Sequence, residues 1–258
     1  MVFWAAPQLS IFACLYLGFI NTNHNVYIGS LNYNKALLLK VQDFLMEEEH
    51  IRKTGTTTVA LVARDGVVLA ADKRATAGYL IAAKDVTKIL NVSDDIAVTT
   101  AGTVSDIQLM VKYLKSEIKI KELRTARKMQ VKEAANLMSM LVYNNIRKFS
   151  TIPGISHFLM AGKDASGFST WDINADGSIS EVKDYVSSGS GSVMAYGVLE
   201  TLYKEGLSVE EAVKLAAKAV NAAVQRDIAS GNGIDIVTVT GDGVRKVLSK
   251  QIDTTITV

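Results

Sequence analysis

The order of the apolar segments constrains this chain more than any other feature. From residue 57 onward, strand-like runs come in groups and helix-like runs come in pairs, without strand–helix–strand alternation. Residues 57–63 and 67–72 are rich in Val, Leu and Ala, and Arg64-Asp65-Gly66 between them is a hairpin signal. A second hairpin, 88–92 and 96–100, turns on Ser93-Asp94-Asp95. A long helix then carries Ile107, Met110, Val111, Leu114 and Ile118 at helical spacing, with Thr103 or Ser105 as its cap. A second helix is expected over 131–149, and strands over 155–162, 168–174 and 179–185. Helices at 193–205 and 209–229 follow, then a hairpin, 234–240 and 244–248, turning on Gly241-Asp242-Gly243. Segregated blocks of this kind predict an α+β chain: packed antiparallel sheets with helices on the outside.

Composition excludes several functions. The 258 residues allow one large or two small domains, and 48% hydrophobic with 21% charged residues is ordinary for a globular protein. Cys14 is the only cysteine, and the histidines are His24, His50 and His157, so no zinc site of the usual Cys/His type can be assembled. Downstream of residue 56, any Ser-His-Asp arrangement would rest on His157 alone, which sits in the strand-like run 155–161 and reads as a core or edge histidine. A net charge of +2 with no basic tail does not indicate nucleic acid. The basic residues Lys112, Lys115, Lys119, Lys121, Arg124, Arg127, Lys128 and Lys132 lack interleaved aromatics and read as a solvated face or a subunit contact. Asp172–Ile179 imitates the start of a calcium loop, but its twelfth position is Lys183 and its flanks are strand-like. Gly189-Ser190-Gly191-Ser192 resembles a phosphate cradle, but Met194 stands at the third glycine position and no Lys-Ser/Thr pair follows.

Residues 1–20 are mostly apolar but lack a basic start and are interrupted by Pro7, Gln8 and Ser10. Three explanations stand: translation beginning at Met46, a long propeptide, or a membrane anchor. A charged leader, Glu47 to Lys53, precedes Gly55-Thr56-Thr57-Thr58. Threonine is favoured in strands, so this run by itself reads as a strand edge. Cleavage between Gly55 and Thr56 would instead put a hydroxyl nucleophile and a free α-amine on one residue. In the first hairpin, facing numbers summing to about 131 place Thr56 opposite residues 72–75. The same arithmetic brings Lys88 near residues 100–102 of the second hairpin. Asp72 and Lys88 are thereby carried toward Thr56. A lysine there would favour the ionised hydroxyl and pass on a proton, with Asp72 holding it oriented and charged.

Gly55–Val59, Asp72-Lys73-Arg74, Lys88-Ile89, Ala101-Gly102, Ser188–Ser192, Ala195–Glu200 and Arg226–Gly231 together resemble an archaeal-type proteasome β subunit. The resemblance runs from Thr56 to about Leu248. It implies a four-layer αββα sandwich of the N-terminal-nucleophile hydrolase type over 56–258 and a leader over 1–55. It also implies a threonine-type endopeptidase needing no cofactor or metal. Thr56 matches the nucleophile, Asp72 and Lys88 the active-site carboxylate and lysine, and Gly102 the oxyanion donor. Ser190, Asp227 and Ser230 match residues that hydrogen-bond the threonine terminus, Gly191 the glycine beside that serine, and Gly55-Thr56 the autoprocessing junction. Ala75, Val86, Leu90, Thr100 and Val104 match the walls of the primary substrate pocket. Without an acid or base among them, they predict cleavage after apolar or aromatic residues. The family's partners are α and other β subunits in stacked seven-membered rings, and an ATP-dependent unfoldase acting through the α ring, in the cytoplasm. A β subunit that only builds the ring, and the bacterial two-ring threonine peptidase, remain as alternatives.

Overall fold

A computed structural model describes residues 55–150 and 153–252. The expected leader up to residue 54, with Met46 and the apolar run 1–20, lies outside the described residues. So does the C-terminal segment 253–258.

One five-stranded antiparallel sheet is ordered β10-β1-β2-β11-β12, where β1 is Thr58–Ala63, β2 Gly66–Asp72, β10 Tyr185–Ser188, β11 Gly233–Thr240 and β12 Gly243–Gln251. The other is ordered β5-β6-β7-β8-β9, where β5 is Ile89–Asn91, β6 Ile96–Gly102, β7 Ser156–Asp164, β8 Gly167–Ile173 and β9 Ile179–Val182. A small hairpin of β3 (Ala75–Ala77) and β4 (Leu80–Ala83) stands apart from both. The helices are α1 (Val104–Thr125), α2 (Val131–Ile146), α3 (Ser192–Leu202) and α4 (Val209–Arg226).

Alternation along the strands builds three apolar layers. Ala60, Leu69 and Ala71 of the first sheet meet Ile89, Ala97, Leu159 and Ala161 of the second. On their opposite faces, Val98, Phe158, Met160 and Ile173 pack under Leu114 and Met138 of α1 and α2. Val59, Leu61, Ala70 and Ile236 pack under Leu199, Ala216 and Val220 of α3 and α4. The described residues therefore form a helix–sheet–sheet–helix sandwich. Each fully buried Leu, Ile or Phe in these layers contributes about 1.5–3 kcal/mol relative to exposure.

The buried residues of α1 are the five whose spacing marked it as a helix. Thr103 stands at its N-cap without a side-chain cap bond; its hydroxyl turns instead toward the Pro153 carbonyl, 3.5 Å away. The first hairpin is tighter than expected: Ala63 faces Gly66 across a two-residue turn, so Thr58 faces Ala71. A shift of two leaves every side chain on its expected face, because the pleat repeats every two residues. The expected strand 179–185 is two strands in different sheets: β9 pairs with β8, and β10 crosses over to pair with β1. Helix α2 stops at Ile146, short of Phe149. Helix α4 stops at Arg226, and Asp227, which closes the last turn through its N–H to Ala223 O, is already extended. The calcium-loop mimic is a hairpin turn, with the Asn174 N–H on Ser178 O and Gly177 at φ 87°.

Candidate active site

The two hairpins bring the expected residues together where β1 begins and β2 ends. The β2–β1 ladder extends by one bond, from the Asp72 N–H to Thr57 O at 3.1 Å, which sets Asp72 beside the segment preceding β1. In the second sheet, Lys88 faces Thr100, whose N–H and hydroxyl both donate to Lys88 O at 2.9 and 3.2 Å. The lysine side chain then crosses between the sheets. Its ammonium donates to Asp72 Oδ1 at 2.6 Å and to Thr56 Oγ1 at 3.1 Å. The Thr56 hydroxyl in turn donates to the Gly55 carbonyl at 2.7 Å.

All three side chains are buried: Thr56 is 6% exposed, Lys88 5% and Asp72 1%. Burial pushes the Lys88 pKa below its ordinary value, and the negative charge and hydrogen bond of Asp72 oppose that without cancelling it. Asp72 is itself held by four donors. Oδ1 also accepts from the Thr57 N–H at 2.9 Å, and Oδ2 accepts from the N–H groups of Arg74 and Gly231 at 3.0 and 2.9 Å. A carboxylate so fixed holds the lysine at one distance from the hydroxyl.

A second cluster closes over the other side of Thr56. The Thr56 N–H donates to Ser190 Oγ at 3.3 Å, and Ser190 donates to Asp227 Oδ2 at 2.6 Å. Ser230 donates to the same oxygen at 2.6 Å and lies 2.6 Å from Thr57 Oγ1. Since the Ser230 proton points to Asp227, Thr57 is the donor to Ser230. Asp227 reaches this position because α4 ends one residue before it.

Close backbone approach explains the glycines. A methyl group at Gly55 would sit 1.6 Å from Ala229 Cβ, and one at Gly191 would sit 2.0 Å from Thr57 Oγ1. Gly102 has φ +126°, a conformation only glycine adopts freely, and a Cβ there would lie 2.1 Å from Ile155 O. Gly102, the last residue of β6, lines the same pocket as Thr56.

A pocket of about 170 Å³ opens beside the hydroxyl. Ala75, Val86, Leu90, Thr100 and Val104 all line it, with Gly55, Thr56, Lys88 and Gly102, and α1 adds Ile107 and Gln108. Larger surface clefts, such as one among Arg127, Lys128, Lys163 and Asp164, are lined by other residues.

Comparison with known proteins gives the family. A family model of proteasome subunits matches residues 52–239. The proteasome subunit beta of Archaeoglobus fulgidus is 46% identical over 197 residues, covering 76% of this chain and 90% of that protein. That of Nanoarchaeum equitans is 44% identical over 192 residues, covering 74% and 96%. Proteasome subunit beta 2 of Aeropyrum pernix is 44% identical over 196 residues, covering 76% and 87%.

The chain belongs to the proteasome subunit family. Its relatives here are of the β type, and its α+β sandwich is the architecture that the resemblance implied.

Several contacts of this proteasome-family site had no sequence signal. Arg74 donates from Nε to Asn232 Oδ1 at 2.7 Å and from Nη1 to Ile228 O at 2.8 Å, pinning the loop that carries Asp227 and Ser230. The Gly55 N–H donates to Thr76 Oγ1 at 3.1 Å, which ties the residue before Thr56 to β3. Both contacts join residues far apart in sequence, so no local pattern announces them. His157, on the central strand β7, is paired with Asp172 of β8. Among the described residues, no group of three or more His, Cys, Asp or Glu could hold a metal, and no helix is long and apolar enough to cross a membrane.

Proposed function

We propose that this chain is a catalytic β subunit of a proteasome core particle, a threonine-type endopeptidase that first removes its own leader. One observation carries the reading: the Thr56 hydroxyl bridges the Lys88–Asp72 pair and the Gly55 carbonyl. In processing, Thr56 Oγ attacks the Gly55 carbonyl carbon. The carbon–nitrogen bond to Thr56 breaks as the hydroxyl proton passes to the nitrogen, leaving a Gly55 ester on Oγ and a free amine. Water hydrolyses the ester, releasing the leader with a carboxylate on Gly55 and restoring the hydroxyl.

Peptide hydrolysis uses the same oxygen. The new α-amine, with an unperturbed pKa of about 7.7–8.0, accepts the hydroxyl proton as Oγ attacks the substrate carbonyl. Lys88, positive and 3.1 Å away, stabilises charge on Oγ, and Asp72 keeps Lys88 in place. The oxyanion is assigned to the backbone N–H of Gly102, since fixed donors aimed at developing charge are a large catalytic term. The proton then passes to the departing amine, and water hydrolyses the Thr56 ester. Ser190, Asp227 and Ser230 hold the threonine terminus and the position of its proton. The walls Ala75, Val86, Leu90, Thr100 and Val104 favour an apolar or aromatic residue before the cut.

The chain works in stacked seven-membered rings with α subunits in the cytoplasm, with unfolded protein supplied by an ATP-dependent partner through the α ring. Intact-mass measurement of the assembled particle tests the reading. Chains beginning at Thr56 are expected. A leader still joined to Thr56 in every assembled chain would sink the enzyme assignment and leave a ring-building subunit.

A further inference from the structure

One wall of the pocket is held by a group of charges outside the catalytic set. Lys73 directly follows Asp72, yet its side chain runs away from Thr56. Its ammonium lies 2.9 Å from Asp85 Oδ1 and 3.4 Å from Asp235 Oδ1. Asp235, on β11, is 1% exposed, and among the described residues neither of its oxygens accepts a well-formed hydrogen bond. Besides Lys73, its counter-charge is Lys246, 3.6 Å away. A carboxylate this deeply buried needs its paired lysines, and they are committed to it.

The backbone of Lys73 is fixed as tightly. Its N–H donates to Gly231 O at 3.1 Å, and its carbonyl accepts from the Val86 N–H at 3.0 Å. Segment 84–87 is therefore caught twice on one residue, through the Val86 backbone and the Asp85 side chain. Val86 is a wall of the pocket. Lys88, two residues on, has separate anchors in Thr100 and Asp72. Burial alone would lower the Lys73 pKa, but the Asp85 hydrogen bond and the Asp235 charge outweigh it and keep the ammonium charged.

We propose that Asp85, Lys73 and Asp235 form a strut that sets the position of the Val86 wall and so the pocket's preference for large apolar side chains. This deepens the peptidase reading above and rests on it. Lys73 and Asp85 are positioning residues: they do not touch the hydroxyl and do not line the pocket. Because Lys88 is anchored separately, loosening the strut weakens substrate binding without disturbing the chemistry, which raises KM at constant kcat.

The test is Asp85→Asn in the assembled particle, assayed on peptides that differ only in Ala, Leu or Phe before the cut. Asp85 is 61% exposed at its side chain, so its replacement does not open the core. KM for the Leu and Phe peptides is expected to rise about three- to tenfold, within the range of apolar pocket contacts. The kcat values and the Ala peptide stay near wild type, and Asp85→Glu restores the KM. An unchanged KM for the Leu and Phe peptides, or a fall in kcat at constant KM, overturns the strut. Loss of assembly in both Asp85 variants also overturns it, because a strut for one wall is dispensable for the fold. A crystal structure of Asp85→Asn gives a readout independent of activity: Val86 is expected to shift, and an unmoved Val86 refutes the proposal. Thr56→Ala separates the two claims, since persisting hydrolysis there defeats the peptidase assignment while the Val86 position still decides the strut.

Discussion

Lys88 shows how a residue becomes chemically useful through what surrounds it. On an exposed strand it would be a solvated cation; here burial disfavours its charge while Asp72 and Thr56 Oγ1 hold its protons. Replacing it with Ala is expected to lower kcat/KM at least about a hundredfold, the lower end of what a positioned acid–base group contributes. The pH profile follows from the same displacement. On the proposed mechanism, activity is expected to rise as the Thr56 amine loses its proton and to fall as Lys88 loses its own. Since burial lowers the Lys88 pKa, the alkaline limb is expected below the ordinary lysine value of 10.5. A limb at or above that value contradicts the assignment. Gly55 makes a steric prediction. Its missing Cβ would overlap Ala229, so Gly55→Ala must displace the carbonyl from the hydroxyl. Leader removal is expected to slow severalfold or more, followed by mass spectrometry on assembling particles; processing at the wild-type rate would contradict it.

At the scale of elements, local chemistry announced some features and not others. The Asp-Gly hairpin and the five buried residues of α1 were legible because turn residues and periodicity are local signals. The division of 179–188 between two sheets was not. Lys183-Asp184 contains neither Gly nor Pro, and which sheet a strand joins depends on distant partners. The β3–β4 hairpin escaped for a related reason: Ala75-Thr76-Ala77 carries little β-branched or alternating signal. The end of α4 was overrun because Ile228 and Ala229 continue an apolar pattern, whereas the Asp227 carboxylate is claimed by Ser190 and Ser230. The start of α2 offers a pH test. Glu133 accepts from the Gln130 N–H at 2.9 Å and pairs with Arg127 at 3.0 Å and Lys121 at 2.7 Å. These contacts, the Arg127 hydrogen bond foremost, pull its pKa from 4.5 to about 2. A depressed carboxylate stabilises the fold above its unfolded value and loses that contribution as pH falls through its folded value. Glu133→Gln is therefore expected to melt below wild type at neutral pH, by a small margin for a partly solvated pair. The gap should close between pH 4.5 and 2. A gap independent of pH would show that the charge is not what matters.

For the whole molecule, the sandwich exists to bring two sheet ends together. Thr56 and Asp72 come from one sheet and Lys88 from the other, and the layer of Ala60, Leu69, Leu159 and Ala161 sets the distance between them. The candidate site was legible because two hairpin registers pointed at one place and histidine was almost absent downstream. The contacts of Arg74 with Ile228 and Asn232, and the ion pair of Lys73 with Asp235, were not legible, because each joins residues more than 150 positions apart. The same sandwich sets the Gly55 carbonyl against the Thr56 hydroxyl, and on the proposed reading one oxygen serves both maturation and turnover. Replacing it tests both at once. In a particle co-expressed with its α subunits and containing no other active β chain, Thr56→Ala is expected to retain the leader in every chain and to abolish peptide hydrolysis. Hydrolysis at the wild-type rate in that particle would contradict the account.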